Sequence, residues 1–330
     1  MQLSRRTDHV ETWSPPYVEP YCSRVLEVRP CRDEGEEALT LAVYNAVWPL
    51  DAITMDEVRS FKQAMLDYGD YLALLDDVPA GSCAVARHPA RPSVAFLLVT
   101  VLPESRRRGV GTRLFEAASA WCGERGLAEA DAPAPEDDPE SIAWGERRGF
   151  REINRNGRMV LELRGYEPAP VEPPPGIQIT TWAERPGVER GLYEVACEAY
   201  PDIPGDRDEL MEPFEDWLAH DMMGSGDRPE ATFVALAGDE VVGYAKFSLT
   251  AAQPTTANHD MTGVKRAWRG RGVAGALKRA QIAWAKSNGY ERLATTNEMR
   301  NEPIRRLNER LGYRTEPGRV ILRGPLGGKR

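Results

Sequence analysis

Sliding the chain against itself by 163 positions superposes its first half on its second without a gap, and that match restricts the fold more than any other feature. Val101 falls on Val264, Arg106 on Arg269, Arg108 on Arg271, Gly109 on Gly272 and Val110 on Val273. The register then holds through Trp121 on Trp284, Gly126 on Gly289, Glu146 on Glu309, Gly149 on Gly312, Phe150 on Tyr313 and Arg151 on Arg314. Glycines, tryptophans and an aromatic tied to one offset mark an internal repeat. The 330 residues therefore read as one domain written twice. The seam lies in YEPAPVEPPPG, residues 166–176, where five prolines between Pro168 and Pro175 can continue neither a helix nor a central strand. The expected organisation is an N-terminal arm over 1–22, a first domain over 23–165, a proline-rich linker over 166–176 and a second domain over 177–330.

Each copy reads as mixed α/β. In the second, ATFVALAGDEVVGYAKFSLT holds two β-rich runs around Gly238-Asp239, an antiparallel hairpin. A further strand ends near Val264, GALKRAQIAWAKSNG forms a helix closed by Asn288-Gly289, RLATTN is a short strand, and NEPIRRLNERLGY is a helix with Pro303 in its first turn. The first copy repeats the order with YLALLDD and SCAVARH, then SVAFLLVTV and TRLFEAASAWCGERG. Helical segments are expected ahead of each hairpin, over 56–69 and 208–222.

Charge and composition exclude several classes. A formal net charge of −9 argues against a general nucleic-acid binder, so any anion site must be local. Five cysteines without a CxxC pair indicate neither a disulfide framework nor a thiolate zinc site, and a reducing cytoplasm is the expected location. No apolar run is long enough to span a membrane, and the amino terminus has no apolar segment after its arginines. No metal site is expected.

The densest chemistry is WRGRGVAGALKRA, residues 268–280. Gly270, Gly272 and Gly275 spell GxGxxG, with Glu298 at the end of the next strand, the outline of a dinucleotide turn. The repeat weakens that reading, because the first copy has Arg107 and Thr112 where the outer two glycines would stand. A kinase-like phosphate loop would need lysine at Ala276. Both copies share R-x-R-G-V-[G/A] between a strand and a helix, at 106–111 and 269–274. A central glycine permits a tight turn, and the N–H groups opening the helix can receive a diphosphate.

Arg269-Gly270-Arg271-Gly272-Val273-Ala274 resembles the acyl-CoA pyrophosphate loop, [Q/R]-x-x-G-x-[G/A], of the GNAT superfamily of N-acetyltransferases, and Arg106 to Gly111 matches it too. Asn301 and Gly312-Tyr313 stand where that family carries an Asn and a helix ending in Gly-Phe. The resemblance implies two tandem domains, each a mixed, mostly antiparallel sheet flanked by helices, with the fourth and fifth strands splayed into a cleft. It implies acetyl-CoA as co-substrate, without a metal, and a primary amine of a small molecule or peptide as acceptor. The implied cofactor residues are Val264, Lys265, Arg269, Gly270, Arg271, Gly272, Val273, Ala274, Gly275, Asn297 and Asn301. Their counterparts are Val101, Arg106, Arg107, Arg108, Gly109, Val110, Gly111 and Thr112. A backbone N–H near Lys265 is the implied donor to the acetyl carbonyl.

Two departures bear on catalysis. The family's usual tyrosine, the acid for the departing thiolate, is Asn308 in the second copy and Gly145 in the first. Direct attack by a neutral amine remains feasible. His259 and Asp260 open the strand HDMTGV on opposite faces, and Glu298 lies near the cleft, so the candidate catalytic residues are Asp260, His259 and Glu298, with Asn308 at the tyrosine's place. The copies also differ: Thr295, Asn297, Asn301 and Asn308 become Ala132, Ala134, Asp138 and Gly145. Catalysis is accordingly expected in the second copy. The acidic run from Asp202 through Asp206, Asp208, Glu209, Glu212 and Glu215 to Asp216 suits a cationic acceptor or a solvated helix face. The competing reading is a non-catalytic acyl-CoA-binding or interaction protein.

Overall fold

The computed structural model describes residues 25–89, 91–204 and 211–327; the arm over 1–22 and Asp206, Asp208 and Glu209 lie outside the described residues. The first half runs β1 (Leu26–Pro30), α1 (Glu34–Val47), α2 (Met55–Ala64), β2 (Asp67–Leu75), β3 (Val78–Arg87), β4 (Ala95–Val101), α3 (Val110–Glu124), β5 (Glu129–Pro135), α4 (Pro139–Glu146) and β6 (Arg151–Glu162). The second repeats it as β7 (Gln178–Thr181), α5 (Glu189–Ala199), α6 (Phe214–Trp217), β8 (Thr232–Ala237), β9 (Glu240–Ser248), β10 (Thr256–Val264), α7 (Val273–Ser287), β11 (Arg292–Glu298), α8 (Glu302–Arg310) and β12 (Arg314–Pro325). Both hairpins, both glycine-led helices and the RLATTN strand fall where the sequence patterns put them. The helix expected over 56–69 stops at Ala64, and Asp67 already begins β2. A Thr54–Glu57 capping box fixes where it starts. In the second copy, Pro213 delays the helix to Phe214, and after one α turn it passes into a π-helical turn at Leu218–Met222.

The twelve strands of the described residues join one sheet in the order β1-β2-β3-β4-β5-β12-β6-β11-β10-β9-β8-β7. The order is a palindrome in which the last strand of each half is exchanged. β12 lies against β5, β6 lies against β11, and the two meet as an antiparallel pair at the centre. Each half therefore completes the other's sheet. Within each half the fourth and fifth strands run parallel and then part. β4 pairs with β5 at Ala95 and Phe96, and β10 pairs with β11 from Thr256 to His259.

Helices cover both faces. α3 and α7 pack on one side, over cores that include Leu97, Leu114, Phe115 and Phe150 in the first half and Phe247, Leu277, Ile282 and Tyr313 in the second. On the other side α5 and α6 enclose Leu192, Trp217, Tyr244 and Met261. No helix among the described residues is long and apolar enough to cross a membrane.

Candidate active site

The two loops adopt the same backbone. After β10, a single 3₁₀ turn at Arg266–Trp268 leads to Arg269; Gly270 takes φ 73° and Gly272 φ 90°, capping α7. After β4, the turn at Pro103–Ser105 leads to Arg106; Arg107 takes φ 62° and Gly109 φ 84°, capping α3. Arg107 thus enters the left-handed region that Gly270 occupies without a Cβ, a strained choice for an arginine. Neither helix has a side-chain cap, so the donors of each first turn face outward from the loop. Uncapped donors at a helix positive end, rimmed by arginines, fit a diphosphate.

The side chains around the loops divide into structural and outward-facing groups. Arg269 donates to the Val264 carbonyl at 2.9 Å and to Asp202 at 2.6 Å, and Arg266 also bonds Asp202, so these two brace the loop against the region after α5. Together they hold the Asp202 carboxyl far below the usual carboxylate range. Lys265 is held by Glu194 at 2.9 Å and Glu240 at 3.1 Å, and its backbone N–H donates to the Val242 carbonyl. That amide is therefore already engaged and does not point at an acetyl group. Arg271 stacks its guanidinium 4.9 Å from the Trp268 ring centre.

In the first copy a cleft of about 420 Å³ opens between β4 and β5, lined by Val99, Val101, Arg106, Gly109, Val110, Gly111, Thr112, Ala134 and Trp144 among others. That volume is of ligand-pocket size. Asp138, the counterpart of Asn301, caps α4 through Ser141 and pairs with Arg106 at 2.9 Å. Burial opposes its charge, but Ser141 and Arg106 prevail and hold its carboxyl below its ordinary value. The charge of Asp138 is thus balanced at the loop. Arg148 lies 3.7 Å over the Trp144 ring and donates to Thr112 at 2.9 Å, walling the far side.

The second copy differs on both sides of its split. Beneath α7, His259 hydrogen-bonds Gln281 Oε1 through Nδ1 at 3.0 Å and the Tyr313 hydroxyl through Nε2 at 2.5 Å. Burial, reinforced by the nearby Lys278, drives the imidazole well below its ordinary pKa, so it is neutral at pH 7. Asn308 is fully buried and donates to Asn297 at 2.9 Å, beside the Met159 sulfur of the exchanged strand β6. Asn301 precedes α8 without a side-chain cap bond. Glu298, buried at the end of β11, accepts from the Arg300 backbone and guanidinium at 2.9 and 2.8 Å.

Asp260 projects to the opposite face. The β10–β9 ladder skips from His259 to Met261, a bulge that leaves Asp260 without a ladder partner, whereas β4 runs against β3 without interruption. Leu97, at the matching offset, lies buried in the α3-side core. The bulge thus turns Asp260 toward the α5–α6 face, where Lys246 Nζ meets it at 2.7 Å. Lys246 also reaches Asp227 at 2.9 Å and the Asp221 backbone carbonyl. Burial would push its ammonium down, but Asp260, Asp221 and Asp227 outweigh burial and keep it charged. Burial raises the Asp221 and Asp227 carboxyls against the opposing pull of that lysine.

On this face a groove of about 1830 Å³ crosses both exchanged strands. Its lining runs from Trp48, Phe61 and Phe96 in the first half, over Asn154, Asn156 and Ile321, to Thr296, Tyr200, Trp217 and Asp221 in the second. Sequence reading did not nominate Lys246, Asp221, Tyr200 or Lys278. A lysine inside the wholly buried run VVGYAKF and another on the apolar stripe of α7 were the available signals.

An open mixed sheet with paired splits, each leading into a glycine-capped helix, defines the acyl-CoA-binding type of α/β domain, here in tandem. The model of the Acetyltransferase (GNAT) family matches residues 39–150 and again 190–313, and the chain belongs to that family, an enzyme of N-acetyl transfer. The family uses acetyl-CoA as co-substrate. A mycothiol acetyltransferase from Catenulispora acidiphila is 26% identical over 223 residues, covering 65% of this chain and 68% of that protein. Among solved structures, a GCN5-related N-acetyltransferase from Sphaerobacter thermophilus superposes with a TM-score of 0.72 at 23% identity, covering 91% of this chain and 96% of that one. A tandem GNAT protein from the clavulanic acid biosynthesis pathway gives 0.73 at 19% identity over 93% and 100% of the two chains.

Proposed function

We propose that the chain transfers the acetyl group of acetyl-CoA to a primary amine of a small molecule or peptide, and that transfer takes place at the β10–β11 split of the second copy. One observation carries this reading: the bulge at Asp260 sets a carboxylate beside the second split, where the first copy buries Leu97. Bulges of this kind re-aim side chains next to active sites. The relative from C. acidiphila, a mycothiol acetyltransferase by name, supports a small-molecule acceptor.

In this scheme the uncapped N–H groups of α7, with Arg271, hold the diphosphate of the cofactor, which supplies the acyl group as a thioester. Asp260 accepts a proton from the incoming ammonium, so that the neutral amine attacks. Lys246 orients the carboxylate. Neither Asn308 nor Gly145 can donate the proton that the family's tyrosine supplies, so the thiolate leaves toward solvent. The first copy's cleft binds the same cofactor without a base beside it.

Acetyl-CoA should raise the melting temperature, whereas NADH should leave it unchanged. Asp260→Asn should lower kcat by about 10²–10⁴-fold, the range for loss of a general base, while keeping the acetyl-CoA shift. Stabilisation by NADH alone, or an unchanged kcat in Asp260→Asn, would overturn the reading.

A further inference from the structure

The surroundings of Lys246 bear on which amine is taken, an inference that rests on placing transfer in the second copy. Asp221, Asp227 and Asp260 converge on this single ammonium, so the cluster carries more negative than positive charge. The Asp221 and Asp260 side chains keep 30% and 43% of their surface open, and both can be reached from outside. Tyr200 donates to Asp221 at 2.7 Å. Beneath them Tyr244 is fully buried against the same carboxylates, which together with burial hold its hydroxyl protonated. An organic ammonium fits an acidic pocket with aromatic walls at Tyr200 and Trp217.

The rest of the groove has another character. Of its other carboxylates, Glu298 is matched by Arg300, Asp202 by Arg266 and Arg269, and Asp131 by Arg91 and Arg323, while Glu212 lies 3.4 Å from the ring of His220, next to Asp221. Away from the Asp221 end, every carboxylate of the groove among the described residues thus faces an arginine. Its walls instead expose large apolar side chains, Met223 at 66%, Ile153 at 41% and Phe61 at 38%. Apolar surface of this kind, beyond a charged end, rewards an apolar body.

We propose that the acceptor is an amphipathic primary amine, its one ammonium held by Asp221 and Asp260 and its apolar body lying along the groove toward Ile153 and Phe61 of the first copy. The first copy would thereby serve the second copy's substrate.

Calorimetric titration of the full chain with 1-aminoalkanes from propyl to octyl, in the absence of acetyl-CoA, tests this directly. Affinity should rise about two- to fourfold per methylene, and octylamine should bind more tightly than 1,8-diaminooctane or glucosamine. Asp221→Asn should weaken every amine at least tenfold while the acetyl-CoA melting shift persists, which shows that the variant is folded. Ile153→Lys, at a half-open position, should flatten the chain-length series. Tighter binding of the diamine or of glucosamine, a flat series in the unaltered chain, or unchanged amine affinity in Asp221→Asn would each overturn the proposal. Failure of the underlying reading looks different: turnover would survive Arg271→Glu with Gly272→Asp, while the chain-length series stayed intact.

Discussion

Replacing Lys278 with methionine should make the protein more stable, by an amount that depends on pH in a defined way. Lys278 lies on α7, 1% exposed, where the first copy has Phe115, and burial lowers its pKa from 10.5 to about 7. The groups around it are the neutral His259 of β10 and the Tyr313 ring, whose centre lies 5.6 Å from Nζ. A lysine whose folded pKa is depressed binds fewer protons in the native state than in the unfolded chain between the two values, so stability rises with pH through that window. The full penalty is present below pH 7 and vanishes near pH 10.5. Each tenfold change in proton affinity is worth about 1.4 kcal/mol, which makes the penalty about 5 kcal/mol at neutral pH. Methionine keeps the length of the stem and removes the charge. Urea unfolding of both proteins at pH 7.0 and 9.5 should show a stabilised variant whose advantage shrinks by about 3 kcal/mol between the two. An advantage that stays constant across that range would refute the reasoning, since it would mean that the ammonium keeps its proton inside the fold.

Gly318→Ala should destabilise by at least about 2 kcal/mol in urea unfolding, because a Cβ there would lie 1.9 Å from the Asn156 carbonyl oxygen at the crossing of β12 and β6. Residues 1–165 and 177–330 expressed separately should each fail to unfold cooperatively, since each half lacks the strand that its sheet receives from the other, yet together they should assemble; a sharp melt from either half alone would contradict the exchange. Tyr313→Phe should cost about 1–3 kcal/mol by leaving His259 Nε2 buried without its partner, and the paired change His259→Phe with Tyr313→Phe should recover part of that loss in thermal melts.

What the sequence made legible was local. Hairpins at Gly238-Asp239, helices led by Gly109 and Gly272 and the short strand RLATTN depend on neighbouring residues and on turn chemistry, and the repeat supplied each of them twice. The exchange of β6 and β12 is not local. Both strands carry the same kind of residues, and nothing in a strand's own pattern states which half it returns to. The bulge at Asp260 was hidden for a related reason, because both copies have the same number of residues back from Val101 and Val264 and differ only in how the neighbouring strand pairs. His259 and Asp260 do face opposite sides, as alternation requires, but the bulge gives Asp260 the groove side. The arginine loops were legible as a motif; that Arg269 braces Asp202 while Arg271 stacks on Trp268 depends on residues about 70 positions apart in one case and three in the other.

The central claim is that the two loops share a fold and divide the work, with chemistry in the second copy. Its most direct test is the initial rate of thiol release from acetyl-CoA with a saturating amine, measured for two variants against the unaltered chain. Arg271→Glu with Gly272→Asp should abolish turnover, and the matching pair Arg108→Glu with Gly109→Asp should leave most of it. Turnover lost only in the second variant would place the reaction in the first copy and contradict the account.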